Sequence, residues 1–152
     1  MLNNFKRLAI GFCCACALLG SGCSKDGGSA QKLQEGSPEA IAYAFEQALC
    51  AGDSQGALKQ MSLEKQLGAD QKDQIAMVQG KLGPGIEKLA KDVKAAGGVK
   101  EIKTESAVIS QDGNSATVQT VVSFKNSGTP EQKNNLRLVK LDGQWAVSLK
   151  QD

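Results

Sequence analysis

The chain has 152 residues, of which 41% are hydrophobic and 22% are charged, a composition typical of a globular protein with room for one domain. It has 18 Lys and Arg against 16 Asp and Glu, and 16 basic residues remain once Lys6 and Arg7 of the N-terminal leader are set aside. The basic residues are dispersed among acidic ones, which argues against a nucleic acid partner. The sequence has no histidine, which excludes His-Asp-Ser and Cys-His catalysis and most transition-metal ligand sets.

The first 22 residues have the layout of a signal peptide. Lys6 and Arg7 precede an apolar run at residues 8–19, which is shorter than the roughly 20 apolar residues of a transmembrane helix. The motif LGSGC at residues 19–23 resembles the lipobox of bacterial lipoproteins, and this resemblance implies that Cys23 is acylated and becomes the new N-terminus. The alternative is ordinary cleavage after the small residues before Cys23, which would leave its thiol free.

Removal of the leader changes the cysteine count. Cys13, Cys14 and Cys16 are lost with it, and acylation consumes Cys23, so Cys50 is the one thiol left and no intramolecular disulfide is expected. Residues 24–36 are rich in Gly, Ser, Gln and charge and predict a flexible tether. Residues 37–152 are expected to form the folded domain.

Helical signals fill the first half of this domain. Ser37-Pro38-Glu39 predicts a helix start, and the spacing of apolar residues predicts one buried stripe, formed by Ile41, Ala44, Phe45, Ala48 and Leu49. Gly52-Asp53 should end this helix and begin a second. A third helical region from about Asp70 is expected to break or kink at Gly83-Pro84-Gly85 and to end at Gly97-Gly98.

From Val99 onward the apolar residues alternate and predict four antiparallel strands, at residues 99–110, 115–125, 135–141 and 144–149. Ala116, Val118, Val122 and Phe124 should point inward, whereas the register around Thr120 is open. Asp142-Gly143 predicts a tight hairpin. The order of helices before strands predicts an α+β fold with N-terminal helices packed on one face of a curved four-stranded antiparallel sheet.

Three stretches, SPEAIAYAFEQALCAGDSQGALKQM, AAGGVKEIKTESAVISQDGNSATVQTVVSFKN and LRLVKLDGQWAVSL, resemble a family of bacterial lipoprotein domains of unknown function, related to lumazine-binding-like lipoproteins. The resemblance covers residues 37–149 and implies a cystatin-like or nuclear-transport-factor-like (NTF2-like) roll. It rests on caps, turns and core residues, so it implies a fold rather than an activity. Related folds include dehydratases and isomerases that use Asp, Tyr and His in a cone-shaped cavity.

Four residues of the domain are candidates for a pocket or an interaction surface. Trp145, expected on one face with Val147 and Leu149, either lines an open pocket or fills the core, and we favour the core. Arg137 either faces an anionic ligand or covers the exposed side of the sheet. Tyr43 and Cys50 lie seven residues apart on one side of the first helix, outside the predicted stripe, where they mark either a partner surface or incidental exposed positions.

The sequence therefore predicts a non-catalytic, lipid-anchored protein of the cell envelope that binds a small ligand or another envelope protein. No phosphate-binding loop, calcium loop, metal site or cofactor site is expected. Ser24 after the lipidated cysteine indicates, by the sorting pattern of enteric bacteria, the outer membrane with the domain facing the periplasm. The alternative is a cavity enzyme that uses Tyr43 or a carboxylate as acid or base.

Overall fold

The computed structural model describes residues 32–150, so the leader, Cys23 and most of the predicted tether lie outside the described residues. The elements in chain order are α1 (Pro38–Ala51), α2 (Ser54–Met61), α3 (Leu63–Leu67), α4 (Lys72–Ala95), β1 (Val99–Thr104), β2 (Val108–Ile109), β3 (Ser115–Phe124), β4 (Gln132–Leu141) and β5 (Gln144–Val147). In this part of the chain, no helix combines the length and the hydrophobicity needed to cross a membrane.

The caps of the first two helices follow the sequence signals. Ser37 is the N-cap of α1 and its side-chain oxygen accepts a hydrogen bond from the Ala40 amide at 3.2 Å, while Pro38 opens the first turn. Gly52 ends α1 with φ of 75°, a left-handed conformation that suits glycine. Asp53 then caps α2 through the Gly56 amide at 2.8 Å. The predicted helix boundary at Gly52-Asp53 is confirmed.

Of the break or kink predicted at Gly83-Pro84-Gly85, the break is wrong, because α4 continues through Pro84 as one helix. Proline removes one helical hydrogen bond and crowds the carbonyl of Gly80, four residues earlier. Both Pro84 and Gly80 are exposed, so water can solvate the freed carbonyl. The apolar stripe of α4 stays in phase on both sides of the proline, and its packing holds the helix together.

The strands form one antiparallel sheet in the order β1-β3-β4-β5, with β2 also paired to β3. The predicted first strand is therefore divided into β1 and β2, although both occupy the same edge of β3. Between them, the Ala107 amide donates a 2.8 Å hydrogen bond to the Glu39 carboxylate of α1 instead of joining the ladder. Asp142 and Gly143 both have positive φ, 50° and 80°, as a tight hairpin requires. The predicted helix-on-sheet α+β fold is confirmed.

Helix α1 lies across the inner face of the sheet, and its deepest residues are Ala42 and Glu46, which are 0% and 2% exposed. The predicted stripe is correct only in part: Ala48 is buried, but Ile41, Phe45 and Leu49 are half-buried, and the deepest positions are one residue further along the helix than Ile41 and Phe45. The reason is that α1 is covered on several sides. The sheet covers Ala42, the other helices cover Phe45 and Leu49, and the Val93–Phe124 cluster covers Cys50.

Candidate functional site

The centre of the domain, between α1 and the sheet, holds a buried polar group. The Glu46 carboxylate accepts hydrogen bonds through one oxygen, Oε1, from the Thr120 hydroxyl at 2.8 Å and from the Asn134 side-chain amide at 2.9 Å. Thr120 is fully buried on β3, and its pairing partners are Asn134 on β4 and Thr104 on β1, which is itself buried. We call Glu46, Thr120 and Asn134 the polar centre.

The polar centre is closed. Glu46 is 2% exposed and its Oε1 accepts hydrogen bonds from two neutral groups, so the carboxylate has little surface available to a substrate. Glu46 is not among the site residues predicted from the sequence. A signal was present in β3, where Thr120 interrupts an inward row of Ala116, Val118, Val122 and Phe124. A polar residue at such a position needs a buried partner, and Glu46 is that partner.

A cavity of about 360 Å³ opens beside the polar centre, between α4 and the end of the sheet. Phe45 of α1, which precedes Glu46 in the sequence, is one of its lining residues. The cavity is lined mostly by apolar side chains, Phe45, Met61, Val78, Leu82, Leu136, Val147 and Leu149, with Lys81 and Ser148 as the polar lining residues. We call it the lateral cavity. Its size and lining are typical of a site for a small apolar group.

Gln66 of α3 fixes one wall of the lateral cavity. Its side-chain amide donates hydrogen bonds to the carbonyls of Val147, at 2.8 Å, and of Met61, and its side-chain oxygen accepts one from the Leu149 amide at 2.9 Å. Because β5 ends at Val147, these bonds replace a strand partner for the residues that follow it. The short helix α3, which the sequence pattern did not predict, therefore holds Val147 and Leu149 in place.

A second cavity, of about 440 Å³, lies where the β4–β5 hairpin meets α2. Trp145 lines it together with Ile41, Lys59, Lys65, Leu141 and Gly36. The Trp145 ring is half-buried, packs against the cluster that contains Ala42 and Val118, and has the Lys140 ammonium 5.4 Å from its centroid. We call this the Trp145 cavity. Trp145 thus belongs partly to the core and partly to an opening.

The structure does not bring the other candidate residues together. Cys50 is half-buried against Val93, Val122 and Phe124, so the expectation that it is exposed is wrong. Burial, with a smaller contribution from the negative charge of Glu46, raises the pKa of the Cys50 thiol to about 11. Tyr43 is half-buried on α1, and Arg137 has an exposed side chain on β4. Cys23 lies outside the described residues.

Within residues 32–150, no three His, Cys, Asp or Glu side chains lie close enough together to hold a metal ion. The lateral cavity offers apolar contact, and the Trp145 cavity offers aromatic and cationic contact.

Comparison with models of known protein families gave no match, and comparison with curated proteins gave no significant match. Among solved structures, the chain is similar to a Campylobacter jejuni protein provisionally named an NTF2-like transpeptidase. The two sequences are 30% identical, the match covers 74% of this chain and 98% of that one, and the TM-score is 0.63. With this identity and coverage, and with helices packed on a curled antiparallel sheet, the chain belongs to the NTF2-like family.

Proposed function

We propose that this protein is a lipid-anchored, non-catalytic component of the cell envelope whose NTF2-like domain binds a small apolar ligand in the lateral cavity. The observation that carries the proposal is the contrast between the closed polar centre and the open lateral cavity, which is lined mainly by apolar side chains. A site of this kind gains affinity by removing apolar ligand surface from water. Lys81 beside it suits a ligand with an anionic end.

The anchoring part of the proposal comes from the leader. The apolar run at residues 8–19 and the lipobox-like motif that ends at Cys23 support acylation of that cysteine. Ser24 supports sorting to the outer membrane, with the domain facing the periplasm. A balanced charge supports partners other than nucleic acid.

The non-catalytic part of the proposal rests on the groups that could act on a substrate. Transpeptidation, the activity in the name of the Campylobacter jejuni protein, needs an activated Ser or Cys nucleophile and a base. The one thiol after residue 23, Cys50, has a pKa of about 11 and is protonated at neutral pH. Glu46 is enclosed, and the sequence lacks histidine, the commonest base beside a Ser or Cys nucleophile. These features favour binding over the alternative of a cavity enzyme.

Calorimetric titration with anilinonaphthalenesulfonate, an apolar probe with one negative charge, tests the proposed site. Val78→Trp places an indole in the lateral cavity and should weaken binding by about tenfold or more, the equivalent of losing about 1.4 kcal/mol. Met77→Trp is the matched control, because Met77 is the neighbouring residue on α4 and is 53% exposed. The control should bind within about twofold of the parent, with a negative heat-capacity change. Equal binding by both variants would place the probe elsewhere and reject the lateral cavity as the site.

A further inference from the structure

The Trp145 cavity lies at one end of the sheet, beside the point where the chain enters the domain. Gly36, two residues before α1, lines it, and so do Leu141 and Gly143 of the β4–β5 hairpin. Any segment that leads to residue 36 therefore approaches the domain at this face. The opposite end of the ten-residue strand β3, near Lys125, is roughly 30 Å away, at about 3.3 Å per residue.

Three lysines surround this cavity. Lys59 and Lys65 line it, and the Lys140 ammonium lies over the Trp145 ring. Asp142 forms a 3.2 Å ion pair with Lys65, and it is 80% exposed at the tip of the hairpin. Glu64 next to Lys65 and Glu35 next to Gly36 are further acidic residues nearby, so the lysines supply the cationic groups of this face without a large net charge.

A half-buried tryptophan among lysines matches the chemistry of a membrane surface. Tryptophan is enriched at the level of lipid headgroups, where its apolar ring and its N–H are both accommodated. Lysines next to an anionic leaflet gain electrostatic attraction, and their long side chains let the ammonium reach the phosphates while the ring sits deeper.

The position of the proposed lipid anchor determines which surface this face meets. If Cys23 carries the lipid, only 13 residues join it to the start of the domain, so the face that contains Gly36 is the one at which the chain from the bilayer enters. Binding of this face to the bilayer is then intramolecular, and weak contacts suffice because the effective concentration is high.

We infer that the face formed by Trp145, Lys59, Lys65 and Lys140 docks onto anionic phospholipid headgroups when the chain is anchored, which orients the domain on the membrane. This inference rests on the lipid anchoring proposed above. Trp145 contacts the interfacial region and the lysines contact phosphate groups. The opening of the Trp145 cavity then faces the bilayer.

The test uses the acylated full-length product, made in a bacterial host that processes lipoproteins and reconstituted into vesicles. One set of vesicles is phosphatidylcholine alone, the other also contains phosphatidylglycerol, and both carry lipids brominated on the acyl chain near the headgroup. Trp145 is the only tryptophan in the sequence, so quenching of its emission by bromine reports docking directly. Quenching should be strong with phosphatidylglycerol, weak without it, and reduced by added salt.

Variants locate the contact. A double variant that combines Lys59→Gln and Lys140→Gln should have a lower ratio of docked to undocked protein, by about fivefold for each lysine removed. The matched control is Lys125→Gln with Lys133→Gln, which removes two exposed lysines at the opposite end of the sheet and should leave quenching unchanged. Circular dichroism of each variant confirms that the fold is retained. Equal quenching in the two double variants would overturn the assignment of this face.

Flotation of the vesicles separates failure of the docking from failure of the anchoring. A chain that floats with both vesicle types but shows no quenching with phosphatidylglycerol overturns the docking alone. A chain that does not float overturns the anchoring and the docking that rests on it. A shift of Trp145 emission by inorganic phosphate without vesicles, together with absent bromine quenching, would show that the cavity takes a soluble anion and would likewise overturn membrane docking.

Discussion

Removing the carboxylate of the polar centre should destabilise the domain more than any surface change. Glu46 accepts hydrogen bonds at 2.8 and 2.9 Å, and it is only 2% exposed. Hydrogen bonds to a charged group contribute about 1.5 to 3 kcal/mol each, and donors left without an acceptor in a buried site add a desolvation cost. Glu46→Ala should therefore lower the free energy of unfolding by about 3 to 5 kcal/mol, a large share of the roughly 5 to 15 kcal/mol of a typical domain.

Urea unfolding of residues 24–152, followed by circular dichroism, measures this loss. Gln47→Ala is the matched control on the exposed side of α1 and should change stability by less than about 0.5 kcal/mol. Thr120→Val removes one donor, and a double-mutant cycle with Glu46→Ala should give a coupling energy of about 1.5 to 3 kcal/mol. If Glu46→Ala unfolds at the same urea concentration as Gln47→Ala, or if the coupling is near zero, the polar centre does not stabilise the fold.

Three further outcomes follow from the sequence and the structure. Cys23→Ser should block maturation and leave an unacylated precursor that retains its leader, whereas normal processing would reject the lipoprotein assignment. In a protein of residues 24–152 at pH 7, Cys50 should have about a hundredfold less thiolate than an ordinary thiol, because its pKa is raised from 9.0 to about 11. Labelling by a thiol reagent should therefore accelerate as the pH approaches 11. Equal labelling rates with and without urea would contradict this prediction. Trp145→Ala should lower the free energy of unfolding by about 2 kcal/mol in thermal melts. This is less than the about 3 to 5 kcal/mol expected for a fully buried tryptophan, because the Trp145 ring is half-buried. An unchanged melting temperature would show that the ring does not contribute to the core.

The features that could be predicted from the sequence are those set by neighbouring residues. Ser37 and Asp53 cap helices through amides three residues away, and Asp142-Gly143 closes a hairpin within its own turn. The inward alternation of β3 also follows from local pattern, because side chains along a strand point to opposite faces in turn. The α+β fold follows from the order of such elements.

The features that could not be predicted depend on contacts distant in sequence. The phase of α1 is set by a sheet that begins 48 residues after Ala51 and by α4, which together bury Glu46 and half-bury Cys50. The continuity of α4 through Pro84 depends on solvent around Gly80 and on packing at Ile86 and Val93. Helix α3 has five residues, too few for a periodic pattern, and Ser62 before it adopts a left-handed φ of 49°.

The closed centre and the open side of this domain are produced by adjacent residues of one helix. Glu46 points from α1 to the donors of β3 and β4, and Phe45 points to the lateral cavity between α4 and β5. An acid or base at the centre would have to give up the hydrogen bonds that stabilise the fold before it could meet a substrate. An apolar ligand in the lateral cavity leaves them intact. The polar centre and the proposed ligand site thus lie on different sides of α1, and Glu46→Ala should lower stability without removing a side chain that lines the lateral cavity.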